Sequence, residues 1–210
     1  AIARGEFAAR RGMLWSLDAA GLYGLRSMDA VIVNSNFWRV GTLEPAALAE
    51  AELEAQDVCY HVADFFRRHV PGFAQAYIVQ LGTALGVRAS RGIEGMATLT
   101  AAQLDSPGPV RLPDGIGRVP VRCAFAQTGE FYQPYSHDVP YGVLVPCGVD
   151  NLLVGSGKSV SCQPQGLIRG MAPCMLLGQA AGAAAALCAD EEVPPRQLPA
   201  SRLRQALVAQ

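Results

Sequence analysis

The residues best suited to chemistry cluster between positions 150 and 185, where a glycine turn precedes a helix of very small residues. Gly155 and Gly157 let the backbone turn tightly after a short apolar run at 152–154, which is predicted to be a buried strand. The helix that follows contains Gly178, Gly182 and many alanines, so its surface has almost no side-chain bulk. Such a helix is expected to be buried, and the positive end of its dipole can receive an electron-rich ligand edge. The pattern predicts a cofactor site.

Long motifs around this turn carry a family resemblance. The runs VPYGVLVPCGVDNLLVGSGKSVS and LIRGMAPCMLLGQAAGAAAAL resemble the C-terminal part of a bacterial family of FAD-dependent oxidoreductases, relatives of the glutathione-reductase-like flavoproteins. The resemblance extends upstream through AVIVNSNFWRVG, the helical run AEAELEAQDVCYHVADFFRRHVPGF, LGVRASRGIEG and LPDGIGRVP, and spans roughly residues 30–205. It implies FAD as the cofactor and hydride transfer on a small organic substrate.

The glycine signature for the FAD pyrophosphate is absent from this sequence. Such flavoproteins normally begin with a strand, a G-x-G-x-x-G turn and a helix, and no G-x-G-x-x-G occurs here. The chain is therefore expected to be the C-terminal half of a flavoenzyme that needs an N-terminal FAD-binding half, either covalent or as a separate subunit. A truncated gene, a processed or separately encoded subunit and an incomplete sequence are equally compatible with this expectation.

The resemblance also implies which residues contact the flavin. The turn at 155–161 and the start of the next helix would donate backbone N–H groups to the flavin O2, and Lys158 would add positive charge where the family usually has arginine. Arg169 matches a family arginine, although a purely structural ion pair explains it equally well. The predicted cofactor-binding residues are Gly155, Ser156, Gly157, Lys158, Ser159, Ser161, Gly166 and Arg169.

Four further residues are catalytic candidates on the same resemblance. His137 could act as acid or base and Tyr141 could donate to a substrate carbonyl or carboxylate, although a packing role is the alternative for the histidine. Arg88 and Arg91 match the family's R-x-S-R and suit carboxylate recognition, with interdomain salt bridges as the alternative. Two departures from the family pattern weaken the catalytic assignment: Gly142 replaces an arginine, and the polar loop at 161–165 lacks the usual histidine and acid.

Composition excludes several other function classes. The formal net charge is −1 and no basic cluster is interleaved with aromatics, so nucleic-acid binding is disfavoured. The most apolar stretch, residues 171–189, is mainly alanine and is a poor membrane anchor. Six scattered cysteines without a C-x-x-C pair indicate reduced thiols, a cytoplasmic location and no metal site. Cys162 is the one cysteine in the polar loop, where packing is favoured over a redox role.

Periodicity predicts a mixed α/β fold. An inner strand is predicted at 30–34, and a long helix is predicted to begin near Thr42 and to end near His69. An extended segment at 87–93, a short helix at 98–105, a surface connection at 105–120 and a strand at 143–145 follow. We expect a β-rich substrate domain over residues 1–140 with the long helix packed on it. The C-terminal strand, turn and helix of a Rossmann-like FAD-binding domain would occupy 141–210.

Two functions remain open at this point. The first is the C-terminal portion or subunit of an FAD-dependent oxidoreductase, with a small-molecule substrate and the FAD-binding half as partners and a homo-oligomer left open. The alternative is a non-catalytic remnant or interaction subunit that keeps the fold without bound flavin. A serine or metal hydrolase is disfavoured because no G-x-S-x-G and no ligand cluster occurs.

Overall fold

A computed structural model describes residues 4, 21–25, 29–34, 44–87, 90–104, 108–125 and 129–209. The chain divides into two compact units, Ala1–Gly86 and Val87–Gln210. Helices and small sheets occur together, so the predicted mixed α/β class is confirmed. The predicted functional division at residues 140 and 141 falls inside the second unit and stays a prediction.

The first unit contains a hairpin and the long helix. Strand β1 (Gly21–Gly24) pairs antiparallel with β2 (Val31–Asn34), which confirms a strand near 30–34. All four β2 residues are exposed, so the strand is not an inner one. Helix α1 (Pro45–His69) ends where periodicity predicts, and its N-cap position is Glu44, while Thr42 lies outside the described residues. Its buried stripe consists of Ala51, Val58, Val62, Phe65 and Phe66.

The second unit is built on a long antiparallel hairpin. Strand β3 (Leu99–Thr100) leads into a single helical turn, α2 (Ala101–Leu104), and then β4 (Gly115–Phe125) pairs with β5 (Gly129–Pro140). A 3₁₀ helix (Tyr141–Leu144) follows β5, and β6 (Cys162–Gln163) runs parallel to β3. Helix α3 (Met171–Asp190), a 3₁₀ turn (Pro195–Gln197) and α4 (Ala200–Val208) complete the unit.

Helices α3 and α4 pack on β4 and enclose the core of this unit. The hairpin approaches α3 closely at Gly117, because a Cβ there would lie 2.6 Å from the Leu176 side chain. The largest fully buried side chains are Leu144, Leu167, Ile168, Leu177, Leu203, His137, Val58, Val139, Val143 and Val145, of which only Val58 belongs to the first unit. The core of the second unit therefore lies between the hairpin, the 3₁₀ segment and the two C-terminal helices.

Several predicted elements differ from the structure. The short helix near 98–105 is confirmed as α2, and Thr100 Oγ1 accepts a hydrogen bond from Gln103 N at 3.2 Å. Residues 143–145 and 152–154 lie in none of the described strands, so these two predicted strands are wrong. Of the predicted extended segment at 87–93, the described residues 87 and 90–93 lie in no strand either, although Ile93 N donates to Ser159 O at 2.9 Å. Val154 N donates to Leu144 O at 2.9 Å, and residues 141–144 coil into the 3₁₀ helix. The predicted surface connection is interrupted at Gly115, where β4 begins.

Candidate functional site

The glycines of the turn at 155–161 are required by close approaches within the chain. A Cβ at Gly155 would lie 3.0 Å from Ala181 Cβ and 3.4 Å from Gly178 Cα, so this turn packs directly on α3. Gly157 is buried, and a Cβ there would overlap the Ile168 carbonyl oxygen and lie 2.9 Å from Cys174 Sγ. The small residues of α3 therefore serve, in part, the chain's own packing.

The backbone N–H groups of the turn fall into two sets. Ser159 N and Val160 N both donate to Ser156 O at 2.9 Å, Ser161 N donates to Val143 O at 3.1 Å, and Lys158 N donates to Ser156 Oγ at 3.3 Å. Those four groups already donate hydrogen bonds within the protein. In the described part of the chain, the N–H groups of Gly155, Ser156 and Gly157 donate no hydrogen bond. The donors left for a ligand are thus the first three of the turn.

The carbonyl side of the turn is anchored by a residue that the sequence did not single out. Gln165 Nε2 donates to Lys158 O at 2.6 Å and to Val160 O at 3.4 Å, and Ile93 N donates to Ser159 O at 2.9 Å. Gly92 makes room for this side chain, because a Cβ at Gly92 would overlap the Gln165 amide. An amide beside a glycine turn is a weak sequence signal, and only the fold shows that the two meet.

Lys158, the predicted source of positive charge, donates a hydrogen bond to a backbone carbonyl. Its ammonium donates to Val87 O at 2.7 Å, and the residue is exposed. The charge therefore stays in solvent contact, where it is screened. Lys158 remains next to the turn, as predicted.

The remaining predicted cofactor residues lie around the loop between β6 and α3. Ser161 is buried and its hydroxyl bonds Thr98 Oγ1 at 2.8 Å. Gly166 has a φ of 78°, a left-handed conformation that favours glycine, and Arg169 N donates to its carbonyl at 3.3 Å. Arg169 is half-buried one residue before the N-cap of α3, and Cys162 is buried in the core.

His137 lies inside the core. Its side chain has no exposed surface, Nδ1 accepts a hydrogen bond from Val110 N at 3.3 Å, and Nε2 has no partner among the described residues. Burial lowers the pKa of His137 from its usual value, and the nearby Asp138 carboxylate partly opposes this shift. The imidazole is therefore held neutral, with its proton on Nε2.

Tyr141 and the two arginines occupy different surroundings. Tyr141 is 6% exposed and its hydroxyl donates to Pro195 O at 3.0 Å; burial raises the pKa of this phenol. Arg91 is exposed, and Arg88 lies outside the described residues. His137 and Arg91 do not line the pocket that Tyr141 lines. The catalytic roles of all four residues stay predictions.

Two of the depressions on the surface of the second unit bear on the predicted site. One, of about 240 Å³, is lined by Met96, Ala97, Asp114, Tyr141, Gly142, Arg196, Leu198 and Ala200. The other, of about 670 Å³, lies between α4 and Pro113 and contains none of the predicted site residues. Among the described residues no group of His, Cys, Asp and Glu could hold a metal ion.

Helix α3 leaves one face uncovered. Only Pro173, Leu177, Ala180 and Ala184 are buried, so the expectation of an all-round buried helix is wrong. Met171 and Met175 are 87% and 76% exposed, and a Cβ at Gly178 or Gly182 would meet nothing within 4 Å. Within the described residues α3 is the one helix long and apolar enough to cross a membrane, a test that core helices also pass.

The chain also matches a known family over nearly its whole length. A family model described as FAD dependent oxidoreductase matches residues 3–207. No curated protein and no solved structure matches significantly. The match confirms the flavin-dependent oxidoreductase family that the motifs indicated, whereas kinship with the glutathione-reductase-like flavoproteins and the C-terminal position remain predictions.

Proposed function

The chain belongs to the family of FAD-dependent oxidoreductases, with FAD as its cofactor, and we propose that residues 155–157 form its contact with the flavin ring. One observation carries the proposal: three consecutive N–H groups, those of Gly155, Ser156 and Gly157, donate to no acceptor in the described part of the chain, and their turn lies on α3. Unpaired backbone donors are costly when buried, and Gly157 is buried. An electron-rich ligand edge would satisfy them.

The hydrogen-bond donors of this turn suit the electron-rich edge of the flavin ring. When bound, FAD supplies the hydride-accepting and hydride-donating chemistry of the isoalloxazine. The unspent N–H groups would hold the electron-rich edge near O2, and Lys158 would add a solvent-screened positive charge beside it. Gln165 donates to the carbonyls of Lys158 and Val160 and so ties the second half of the turn to the loop that follows β6.

The reaction we propose is hydride transfer on a small organic substrate. Arg91 is exposed and suits a substrate carboxylate, and Arg88 stays in the proposal on the sequence motif alone. Tyr141 lines the 240 Å³ pocket, and its hydroxyl donates to Pro195 O. Acid or base action by His137 requires that a substrate reach Nε2, which has no partner among the described residues.

We also propose that an FAD-binding half, related to the glutathione-reductase-like flavoproteins, packs against the uncovered face of α3. No G-x-G-x-x-G occurs in this sequence, so the pyrophosphate must be held elsewhere. From Gly170 to Ala189 the chain carries no charged residue, and two exposed methionines lie on α3. Exposed apolar surface of this kind marks an interaction site, and a protein partner is favoured over lipid by the alanine composition. A cytoplasmic location and a homo-oligomer belong to the same proposal.

A titration of the ¹⁵N-labelled chain with lumiflavin, followed by FAD, tests the contact. The amide signals of Gly155, Ser156 and Gly157 are expected to shift downfield, because these groups gain an acceptor. The amides of Ser159, Val160 and Ser161 serve as controls in the same spectrum, since they already donate. The proposal fails if the control amides shift as much as the first three, or if FAD bound in the presence of a G-x-G-x-x-G half leaves all six unchanged.

A second candidate function is a non-catalytic subunit that keeps the fold without flavin. The observation that favours it is that His137 has no exposed surface and that the Tyr141 hydroxyl already donates to Pro195 O, so neither group is presented to solvent as an acid or base. Purification of the native protein with its bound small molecules distinguishes the two functions. Bound FAD that is reduced by any organic donor supports the enzyme, and a colourless complex with an intact partner supports the subunit.

A further inference from the structure

The 240 Å³ pocket contains a carboxylate, that of Asp114, which forms no ion pair with any residue that the structure describes. Asp114 is half-buried, and its backbone carbonyl accepts a hydrogen bond from Tyr141 N at 3.0 Å. Its side chain makes no hydrogen bond and no ion pair within the described residues. A carboxylate that has lost part of its water without gaining a partner is destabilising unless a ligand supplies donors.

Among the described residues that line the pocket, the one cation, Arg196, is paired with an acid from outside it. Arg196 Nη2 lies 2.6 Å from Asp150 Oδ1, and Asp150 is not part of the lining. The formal charges of Asp114, Asp150 and Arg196 sum to −1. Arg204 lies outside the lining and donates to Pro113 O, so Asp114 is the lining charge without an ion-pair partner among the described residues, and its carboxylate can accept the hydrogen bonds of a bound cation.

The other residues that line the pocket are apolar, and the pocket is small. Tyr141 and Leu198 are buried lining residues, Ala97 is half-buried, and Met96 is 55% exposed. Methionine adapts its shape to a ligand because its side chain is unbranched and flexible. A volume of about 240 Å³ lies below the range of drug-sized sites and suits a short aliphatic body.

We propose that this pocket binds a small aliphatic compound that carries a primary ammonium group, with Asp114 accepting the ammonium hydrogen bonds. Free amines and amino acids both carry this ammonium group. An amino acid also has a carboxylate, which could accept hydrogen bonds from the Arg196 N–H groups that are not bonded to Asp150. The proposal does not depend on flavin binding, because it uses none of the residues of the turn at 155–161.

The test is a titration of the full chain with ¹³C-methyl-labelled methionine. We expect n-butylamine to shift the Met96 methyl signal, while Met171 and Met175, exposed on α3, stay unchanged and serve as controls. n-Butanol has no charge and tetramethylammonium has no N–H group, so both are expected to bind at least about tenfold more weakly than the amine. Equal binding of the alcohol or of tetramethylammonium, or no shift of Met96 with the amine, overturns the proposal without any variant.

Two variants then locate the ammonium site. Asp114→Asn is expected to weaken n-butylamine binding at least about tenfold, whereas Asp190→Asn, which removes an exposed charge outside the pocket, leaves it within about twofold. Equal effects of the two variants overturn the proposal. L-Norvaline distinguishes an amino acid from a simple amine as the natural ligand. If L-norvaline binds more tightly than n-butylamine and Arg196→Gln removes this advantage, the ligand is an amino acid. If L-norvaline binds more weakly, the ligand is a simple amine.

Discussion

The buried imidazole of His137 predicts a specific loss of stability in mild acid. Val110 N donates to Nδ1, so the neutral ring carries its proton on Nε2, and protonation would place a second N–H against the Val110 donor. Burial lowers the pKa of His137 in the folded state, whereas in the unfolded chain it titrates at about 6.5. Below about pH 6.5 the unfolded state therefore binds more protons, and the free energy of unfolding falls as the pH falls.

The dependence of the free energy of unfolding on pH follows from the number of protons that the folded and unfolded states bind. One group protonated only in the unfolded state lowers the free energy of unfolding by up to about 1.4 kcal/mol per pH unit, until the pH passes the lowered pKa of the folded protein. Above about pH 6.5 the histidine contributes no pH dependence. His137→Gln keeps an acceptor for Val110 N and removes the titration, so its stability at pH 8 should stay within about 1.5 kcal/mol of the parent.

Urea unfolding at several pH values between about 8 and 5 measures both quantities. The parent should lose stability over this range faster than His137→Gln, and the difference between the two curves isolates this one group. Parallel curves for the parent and His137→Gln would refute the assignment of a buried neutral imidazole.

Three further substitutions test the packing around the site. Gly157→Ala should lower the free energy of unfolding by about 2 kcal/mol or more, measured by urea denaturation, because its Cβ would overlap the Ile168 carbonyl; an unchanged midpoint would contradict this contact. Gly178→Ala should raise the free energy of unfolding by about 0.5–1 kcal/mol in the same assay, since the position is open and helical; a loss would show that its exposed face is already covered. Tyr141→Phe should cost about 1–2 kcal/mol in thermal or urea unfolding, because Pro195 O loses its buried donor, and a cost near zero would mean that this bond is not formed.

Local signals predicted the helices better than the strands. Helix α1 follows from an apolar stripe and a proline at its first turn, and α2 follows from Thr100 as its cap, so both depend on residues within a few positions of each other. The apolar runs at 143–145 and 152–154 carry the same composition as buried strands, but a strand also needs a partner at hydrogen-bonding distance. No described strand provides one, and Val143 packs in a 3₁₀ helix instead.

In the candidate site, too, the sequence could not predict contacts that depend on the fold, in this case the hydrogen bonds of single backbone atoms. Family motifs indicated the turn at 155–161 as a source of donors, yet its residues were equivalent until their hydrogen bonds were known. Ser156 O accepts from Ser159 N and Val160 N, and this local bonding divides the turn into spent and unspent donors. Gln165 was missed because its partners, Lys158 O and Val160 O, are backbone atoms that leave no mark in the side-chain pattern.

Glycine has two distinct uses around helix α3, and the distinction bears directly on what the helix is for. Gly155 and Gly157 are small because the chain packs against itself there: a Cβ would meet Ala181 at the first and the Ile168 carbonyl at the second. Gly178 and Gly182 meet nothing, although alanine would favour the helix at both positions. Glycine on an exposed face would permit the close approach of another surface, and this is why we propose that the FAD-binding half docks there rather than arguing the docking from the composition of the helix alone.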